Sequence, residues 1–308
     1  MNHPIDLSGK DAFRLLCPKC RKGLVTHNFP VCADCGFSCP IENRILILEN
    51  APTSDYSQEG AGVLAEVNEA HFWFKARNRI IVDALNRYAL PDEPQKLFVD
   101  YGCGNGFVMA ALEDAGWVVA GIDMHLGGLR IAGKRTQGPL YCGRFEHIRF
   151  HAGRSGAGAI GFFDVLEHLD DDHAALRHGV SQLQPRGLAL VTVPALMSLW
   201  SEYDEIGGHK RRYSRNGLES LLKDAGLEVL ELRYAFSFAV IPIWLQRNAV
   251  RKACNDKPDI EKRRRFARPP NPALNNMFSI LSECEFKLSR IGIKPCIGTS
   301  LIGVARLS

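Results

Sequence analysis

The chain has 308 residues, about two domains' worth and long enough to bury a sizeable core. Hydrophobic residues make up 46% and charged residues 23%, with 28 Gly and 16 Pro, which excludes a collagenous, wholly disordered or multi-span membrane protein. The formal net charge of +4 is too small to attract nucleic acid by itself. The opening MNHPIDLSGKDAF has no apolar h-region, and the longest apolar run, Ala235–Leu245, is too short to span a bilayer. The expected location is therefore the cytoplasm.

Residues 1–50 read as a small Cys-rich unit, because five of the ten cysteines fall within the first 39 residues. The spacing is Cys17-Pro-Lys-Cys20, eleven residues, then Cys32-Ala-Asp-Cys35. Two such knuckles set four thiolates around one tetrahedral Zn²⁺, and so small a unit has almost no core without the metal. A closed four-Cys site keeps no open position, so the expected zinc is structural, and Cys39 is left over. The segment LLCPKCRKGLV…VCADCGFSCPIENRILIL resembles the short zinc ribbons of the Trm112 type, with Ile45 and Leu46 standing where that family has Ile-Pro.

Residues 51–62 (APTSDYSQEGAG) read as a linker and 63–90 carry apolar positions at helical spacing, with Pro91 beyond. Strands and helices then alternate: KLFVDYG, GFVMAALEDAG, WVVAGID, HLGGLRIAGKR, PLYCGRF, AIGFFDVL, DDHAALRHGVSQL, GLALVTVP, LESLLKDAG and LEVLELRY, with TSLIGVARL at the C-terminus. Strict alternation predicts an α/β fold, a Rossmann-like doubly wound parallel sheet covered by helices on both faces. The expected organisation is a ribbon over 1–50, a linker and helix over 51–95, a sheet domain over 96–235 plus 297–308, and an insertion over 236–296 before the last strand.

Asp100-Tyr101-Gly102-Cys103-Gly104-Asn105-Gly106 joins the first strand to a helix. Glycines there let the backbone approach a ligand, and the helix N-terminus offers free N–H groups. The G-x-G-x-G spacing departs from the dinucleotide fingerprint, which needs Gly where Phe107 stands. Asp123 ends the next strand, where a carboxylate can accept hydrogen bonds from two ribose hydroxyls.

Together VDYGCGNG…GID…FFDVLEHL…LVTVP closely resembles the class I S-adenosylmethionine-dependent methyltransferases, whose sheet has seven strands, over residues 96–235. The resemblance implies that Asp100, Gly102, Cys103, Gly104, Asn105 and Gly106 hold the methionine end of the cofactor. It implies further that Asp123 binds the ribose, Met124 lies on the adenine, Phe145 sits near the adenine edge and Phe163 near the methionine. Arg144 stands where many members have Asp, a departure on the adenine side.

Asp164-Val-Leu-Glu167-His168 follows the fourth strand, at the edge where open α/β sheets bind ligands. Two carboxylates and an imidazole suit a general base or a divalent cation; similar residues hold a metal in the ubiquinone-type O-methyltransferases that this segment resembles. They equally suit a loop that is merely capped and oriented. After the fifth strand, Pro194–Ser214 resembles a bacterial methyltransferase subgroup with the pattern "VPA…LWS…D…GH.RRY". That subgroup also carries "HFWF.ARN", here His71–Asn78, and "GTSL", here Gly298–Leu301. Trp200, Asp204, Arg211, Arg212 and Tyr213 are the substrate candidates, suited to an anionic or sugar-bearing acceptor. His209 and His168 are the candidate bases, with Glu167 beside them. The plain alternative is that Arg212 and Asp204 form a salt bridge holding the loop shut.

From Gln246 to Pro270 nine cations face three acids, a surplus of +6 that exceeds the whole chain's. With YAFSFAVIPIWLQRN before it, the segment suits peripheral docking on an anionic membrane; a face packed on the core or RNA contact are the alternatives. Pro242 predicts two short helical pieces. The leading functional expectation is O-methylation of a small or lipid-linked acceptor of quinone, glycolipid or saccharide type. The first alternative is an RNA or ribosomal methyltransferase using the ribbon for recognition, although no N/D-P-P-[FY] tetrad follows the fourth strand. The second is a non-catalytic zinc-ribbon partner protein.

Overall fold

A computed structural model describes residues 13–22, 25–27, 29–49, 69–90, 96–152, 156–253 and 270–308. The expected linker and the basic cluster Lys262–Arg265 lie outside the described residues. In the ribbon, β1 (Phe13–Leu15), the hairpin of β2 (Val25–His27) and β3 (Phe29–Val31), and the hairpin of β4 (Ile41–Glu42) and β5 (Ile45–Ile47) surround the cysteine knuckles. Asn43 and Arg44, at the tip of the second hairpin, both have positive φ, as a tight two-residue turn between twisted strands demands.

Helix α1 (Phe72–Tyr88) is capped by His71, whose ring accepts the Trp73 N–H. Then come β6 (Leu97–Tyr101), α2 (Phe107–Asp114), β7 (Val118–Asp123), α3 (Leu126–Arg135), β8 (Leu140–Cys142), β9 (Phe150–Ala152), β10 (Ala157–Phe163), α4 (Asp172–Val180) and β11 (Leu183–Pro194). A short α5 (Glu202–Gly207), α6 (Arg215–Asp224), β12 (Leu227–Ala235), α7 (Val240–Ala253), α8 (Pro272–Arg290) and β13 (Ser300–Leu307) complete the chain. The sheet runs β12-β13-β11-β10-β6-β7-β8-β5-β4. From β11 through β5 neighbouring strands are parallel, whereas β13 runs antiparallel to both β11 and β12. Every residue of β6 and of β10 is buried, the signature of parallel strands covered on both faces.

The seven expected strands are present, and two more come from the ribbon. Strand β5 pairs in parallel with β8, and β4 adds the antiparallel edge. Because side chains alternate along a strand, Ile45 and Leu46 enter different cores, one on each face of the sheet, both at 0% exposure. Arg44 donates to the carbonyls of Gly133 (2.6 Å) and Thr136 (2.9 Å) at the end of α3, and Arg130 of α3 forks onto Glu42 at 2.6 and 2.9 Å. The ribbon thus shares its core with the sheet.

The expected break at Pro242 does not occur. Pro242 lies in the first turn of α7, where its missing N–H has no intrahelical partner, so one helix runs from Val240 to Ala253. Helices α1, α7 and α8 meet over the sheet around a third cluster containing Phe72, Phe236 and Phe278. Asn275 ties α8 to the start of α1 through the Phe72 N–H and the Ala70 carbonyl, each at 3.0 Å, and Glu285 accepts the N–H groups of Phe236 and Ser237. No helix among the described residues is long and apolar enough to cross a membrane.

Candidate functional site

One cavity of about 970 Å³ opens at the carboxyl edge of β6, β10 and β11, lined by the glycine loop, α1, the loop after β11, α7 and α8. Its floor is Asp100, Gly102, Cys103, Gly104, Asn105 and Phe163, six of the ten residues expected at the cofactor. Gly102 and Gly106 hold left-handed φ of 76° and 74°, and a Cβ would strike Val165 at the first and Ala132 at the second. At Gly104 the same atom would meet open space, as a loop that admits a ligand to its backbone requires. Asp100 is buried with neither carboxylate oxygen partnered; burial pushes its carboxyl up to about 7, against the charge of Arg77. The Asp123 oxygens accept the N–H groups of Gly104 (2.9 Å) and His125 (2.7 Å), which fixes the loop to the end of β7.

Gly106, Asp123, Met124 and Phe145 do not line this cavity. Phe145 packs in the core, its ring edge-on to Tyr101 at 5.8 Å and to Phe162 at 6.1 Å. Met124 offers its carbonyl to the Cys142 thiol.

On the far wall, ligand atoms of Glu167, His168 and His209 lie within 4.8 Å of one another. Glu167 is 0% exposed and neither oxygen has a hydrogen-bond partner. Burial, and then the Asp164 charge, push its carboxyl well above the usual range. The rings of His168 and His209 meet edge-on at 4.7 Å, with Gly207 leaving room for His209 and left-handed Gly208 ending α5. Asp164, expected in this group, lies outside it. Its side chain pairs with Arg77 of α1 and accepts the Thr192 hydroxyl. The acidic pair expected from the motif is therefore split, one carboxylate neutralised by an arginine and the other left bare.

Of the five substrate candidates, only Arg212 reaches the cavity. Tyr213 donates to Asp172 at 2.6 Å, Arg211 to the Leu169 and Asp170 carbonyls at 2.9 Å, and the Trp200 indole to Glu205 at 3.2 Å. These three are corrected to supports of the loop. Asp204 is also a support, 1% exposed, with its carboxylate holding Arg212 Nε (2.8 Å), Arg247 Nη1 (3.1 Å), His209 Nδ1 (3.1 Å) and the Ser201 N–H (3.0 Å). Burial would raise the Asp204 carboxyl, but His209 and the two arginines outweigh it and hold it well below the usual carboxylate range. In the neutral tautomer whose Nδ1 proton points at Asp204, the Nε2 lone pair of His209 would be free.

Two site residues carried no separate sequence signal. Arg77 sits inside His71–Asn78 and stacks over the rings of Trp73 (4.9 Å) and Phe74 (5.5 Å) while binding Asp164. Arg247 is the first cation of the basic block, yet it turns inward to the cavity. In the ribbon the four knuckle sulfurs cluster, with Cys17 3.6 Å from Cys35 and Cys20 3.3 Å from Cys32.

A family of methyltransferase domains matches residues 73–232, and no curated protein sequence matches the chain. Among similar solved structures is a SAM-dependent methyltransferase from Archaeoglobus fulgidus, 14% identical with a TM-score of 0.46, covering 74% of this chain and 94% of that one. Another is phosphoethanolamine N-methyltransferase 2 of Haemonchus contortus with S-adenosyl-L-methionine, 14% identical with a TM-score of 0.50, covering 87% and 61%. A third is the complex of the Haloferax volcanii Trm112 methyltransferase activator with a methyltransferase, 18% identical with a TM-score of 0.49, covering 80% and 93%. At such identities the likeness is one of fold. With the family match spanning more than half its length, the chain belongs to the methyltransferase-domain family as a class I S-adenosylmethionine-dependent methyltransferase.

Proposed function

We propose that this methyltransferase acts on an oxygen of a small or lipid-linked acceptor bound in the cavity. The observation that carries the reading is the continuity of that cavity, from the glycine loop to His209 and a chamber walled by Phe72, Phe236 and Phe278. S-adenosylmethionine, when bound, supplies an electrophilic methyl group. The loop from Asp100 to Gly106 holds its methionine end and Asp123 its ribose. What remains is to align the acceptor and take its proton. His209 Nε2 is the base, oriented by Asp204 in the manner of a carboxylate–imidazole pair.

A second reading rests on Glu167. Its bare, buried carboxylate beside two imidazoles fits a divalent cation, held by Glu167, His168 and His209, that would polarise the acceptor oxygen. Loss of activity on chelation that Mg²⁺ or Mn²⁺ restores selects the cation; loss that Zn²⁺ alone restores, or no loss, selects the base. The ribbon sulfurs fit one structural Zn²⁺, because Zn–S bonds of 2.3 Å place tetrahedral ligands roughly 3.8 Å apart.

The reading is tested by incubating the protein with methyl-tritiated S-adenosylmethionine and cell extract split into lipid, RNA, protein and small-molecule fractions. Label is expected in the lipid or small-molecule fraction, and label in RNA would overturn the proposal. Asp123→Ala serves as the blank, with cofactor affinity expected to fall about ten- to a hundredfold in calorimetry.

Peripheral membrane contact is supported by the outer sides of α7 and α8, where Ile241 (70% exposed), Trp244 (47%) and Ile280 (65%) face solvent. The local surplus of positive charge suits an anionic surface. Flotation with phosphatidylglycerol-rich vesicles is expected to carry the protein up, and Trp244→Glu to reduce the bound fraction several-fold. Equal binding to neutral phosphatidylcholine vesicles would remove the electrostatic part of the argument.

A further inference from the structure

Arg212 and Arg247 converge on a single carboxylate. Arg212 places Nε and Nη2 on Asp204 Oδ1, at 2.8 and 2.6 Å, and Nη1 on the Ala195 carbonyl at 2.9 Å. Arg247 arrives from α7 on the other side, its Nη1 on Asp204 Oδ2 and on the Leu199 carbonyl, its guanidinium 5.5 Å from the centre of the Tyr203 ring. Asp204 also holds His209, so its capacity as an acceptor is spent.

Among the described residues, Arg247 Nε and Nη2 have no partner, and both arginines line the cavity. Asp164, the other exposed-oxygen candidate nearby, is committed to Arg77. Two guanidinium groups thus share the Asp204 carboxylate in a partly enclosed, partly aromatic chamber. An uncompensated cation there is costly unless something anionic joins it. The fork of Arg247 suits a phosphate or carboxylate, which it can bind through two parallel hydrogen bonds. The same chamber has an apolar face formed by Phe72, Phe236, Ile243, Leu274 and Phe278.

We propose that Arg247, with Arg212, forms an oxyanion-binding subsite, and that the acceptor is an amphiphile whose phosphate or carboxylate rests there while its apolar body lies against the phenylalanines. This rests on the reading of the cavity as the acceptor chamber. Arg247 is then a specificity-determining residue on a helix that sequence alone assigns to a surface role.

The test is binding of four probes to the intact, zinc-replete protein saturated with S-adenosylhomocysteine, followed by calorimetry and by the fluorescence of Trp73 at the cavity wall. The probes are decyl phosphate, decanoate, decanol and inorganic phosphate. At least one charged amphiphile is expected to bind roughly ten- to a hundredfold more tightly than decanol, and inorganic phosphate to bind much more weakly than either. Arg247→Gln is expected to bring the charged amphiphiles to the decanol level while leaving decanol and S-adenosylhomocysteine binding unchanged; Arg247→Lys should recover part of the preference. These unchanged affinities report that the variant is folded.

Equal affinity for charged and neutral probes, or a preference that survives Arg247→Gln, overturns the subsite. Inorganic phosphate binding as tightly as decyl phosphate makes it a free-anion site and overturns the amphiphile. Phe278→Trp, which fills the chamber, separates the two levels. If decanol binds and Phe278→Trp blocks it but no anion preference exists, only the subsite fails. If no amphiphile binds, or binding is indifferent to Phe278→Trp, the acceptor-chamber reading fails with it.

Discussion

Asp204→Asn is expected to lower both stability and turnover, through two different neighbours. Removing the charge leaves Arg212 and Arg247 buried against a neutral amide, and breaking such a pair costs about 3–5 kcal/mol. In a chain of this size that is a fall in Tm on the order of 10 °C. The rate effect comes from His209. An amide at this position can turn its NH₂ toward Nδ1 and move the ring proton to Nε2, which removes the lone pair that the proposed base requires. A loss of kcat on the order of 10²–10⁴-fold is expected, with KM for the cofactor unchanged, since Asp204 does not touch the glycine loop.

The pH dependence has a definite sign. The folded carboxyl lies below its unfolded value, so its contribution to stability is complete above about pH 4 and is lost as pH falls further. The stability gap between wild type and Asp204→Asn should therefore be constant from pH 5 to 8 and shrink in acid. Chemical denaturation at several pH values measures it. A gap that widens toward low pH, or a variant with unchanged Tm and turnover, would show that the cluster does neither job.

Stripping zinc, or changing Cys17 and Cys20 to Ser, is expected to weaken cofactor binding although the knuckles lie far along the chain from the glycine loop, because the β5–β8 pairing joins the ribbon to the sheet. Without the metal the knuckles have little to hold them, and the hairpin that carries Ile45 and Leu46 loses its anchor. Exposing these two side chains costs about 1.5–3 kcal/mol each, before the loss of Glu42 on Arg130 and of Arg44 on the end of α3. Helix α3 begins just after Asp123, so its release loosens the ribose side of the site. Calorimetry is expected to show weaker S-adenosylmethionine binding together with a Tm lower by several degrees, both restored in the stripped wild type, but not in the Cys variant, on adding one equivalent of Zn²⁺. Undiminished binding by a zinc-free chain would make the ribbon an independent appendage.

Much of this architecture was legible from the order of residues. Strands alternating with helices predict a parallel sheet covered on both faces, and the full burial of LFVDY and AIGFF agrees with it. The glycine loop was legible because left-handed φ at positions 102, 104 and 106 restricts the residue type wherever the loop occurs. The cysteine knuckles were legible because tetrahedral coordination sets a short spacing along the chain. Pro242 was misplaced because a proline's effect depends on whether it falls in a helix's first turn or its interior, and residue order alone did not locate that turn.

By itself, then, the sequence determined the fold class, the glycine loop and the four clustered cysteines, each legible from local periodicity or spacing. Only the tertiary structure decided which charged groups face the cavity. Residue type does not say where a side chain points, and the partners concerned are far apart in the chain: Arg77 meets Asp164, and Arg247 crosses to Asp204. It also decided that Tyr213, Arg211 and Trp200 turn away to brace their loop, and that the ribbon completes the sheet instead of standing beside it. Burial drives that choice, since an unpaired buried charge and an unpaired buried strand edge are both costly, wherever in the chain their partners lie.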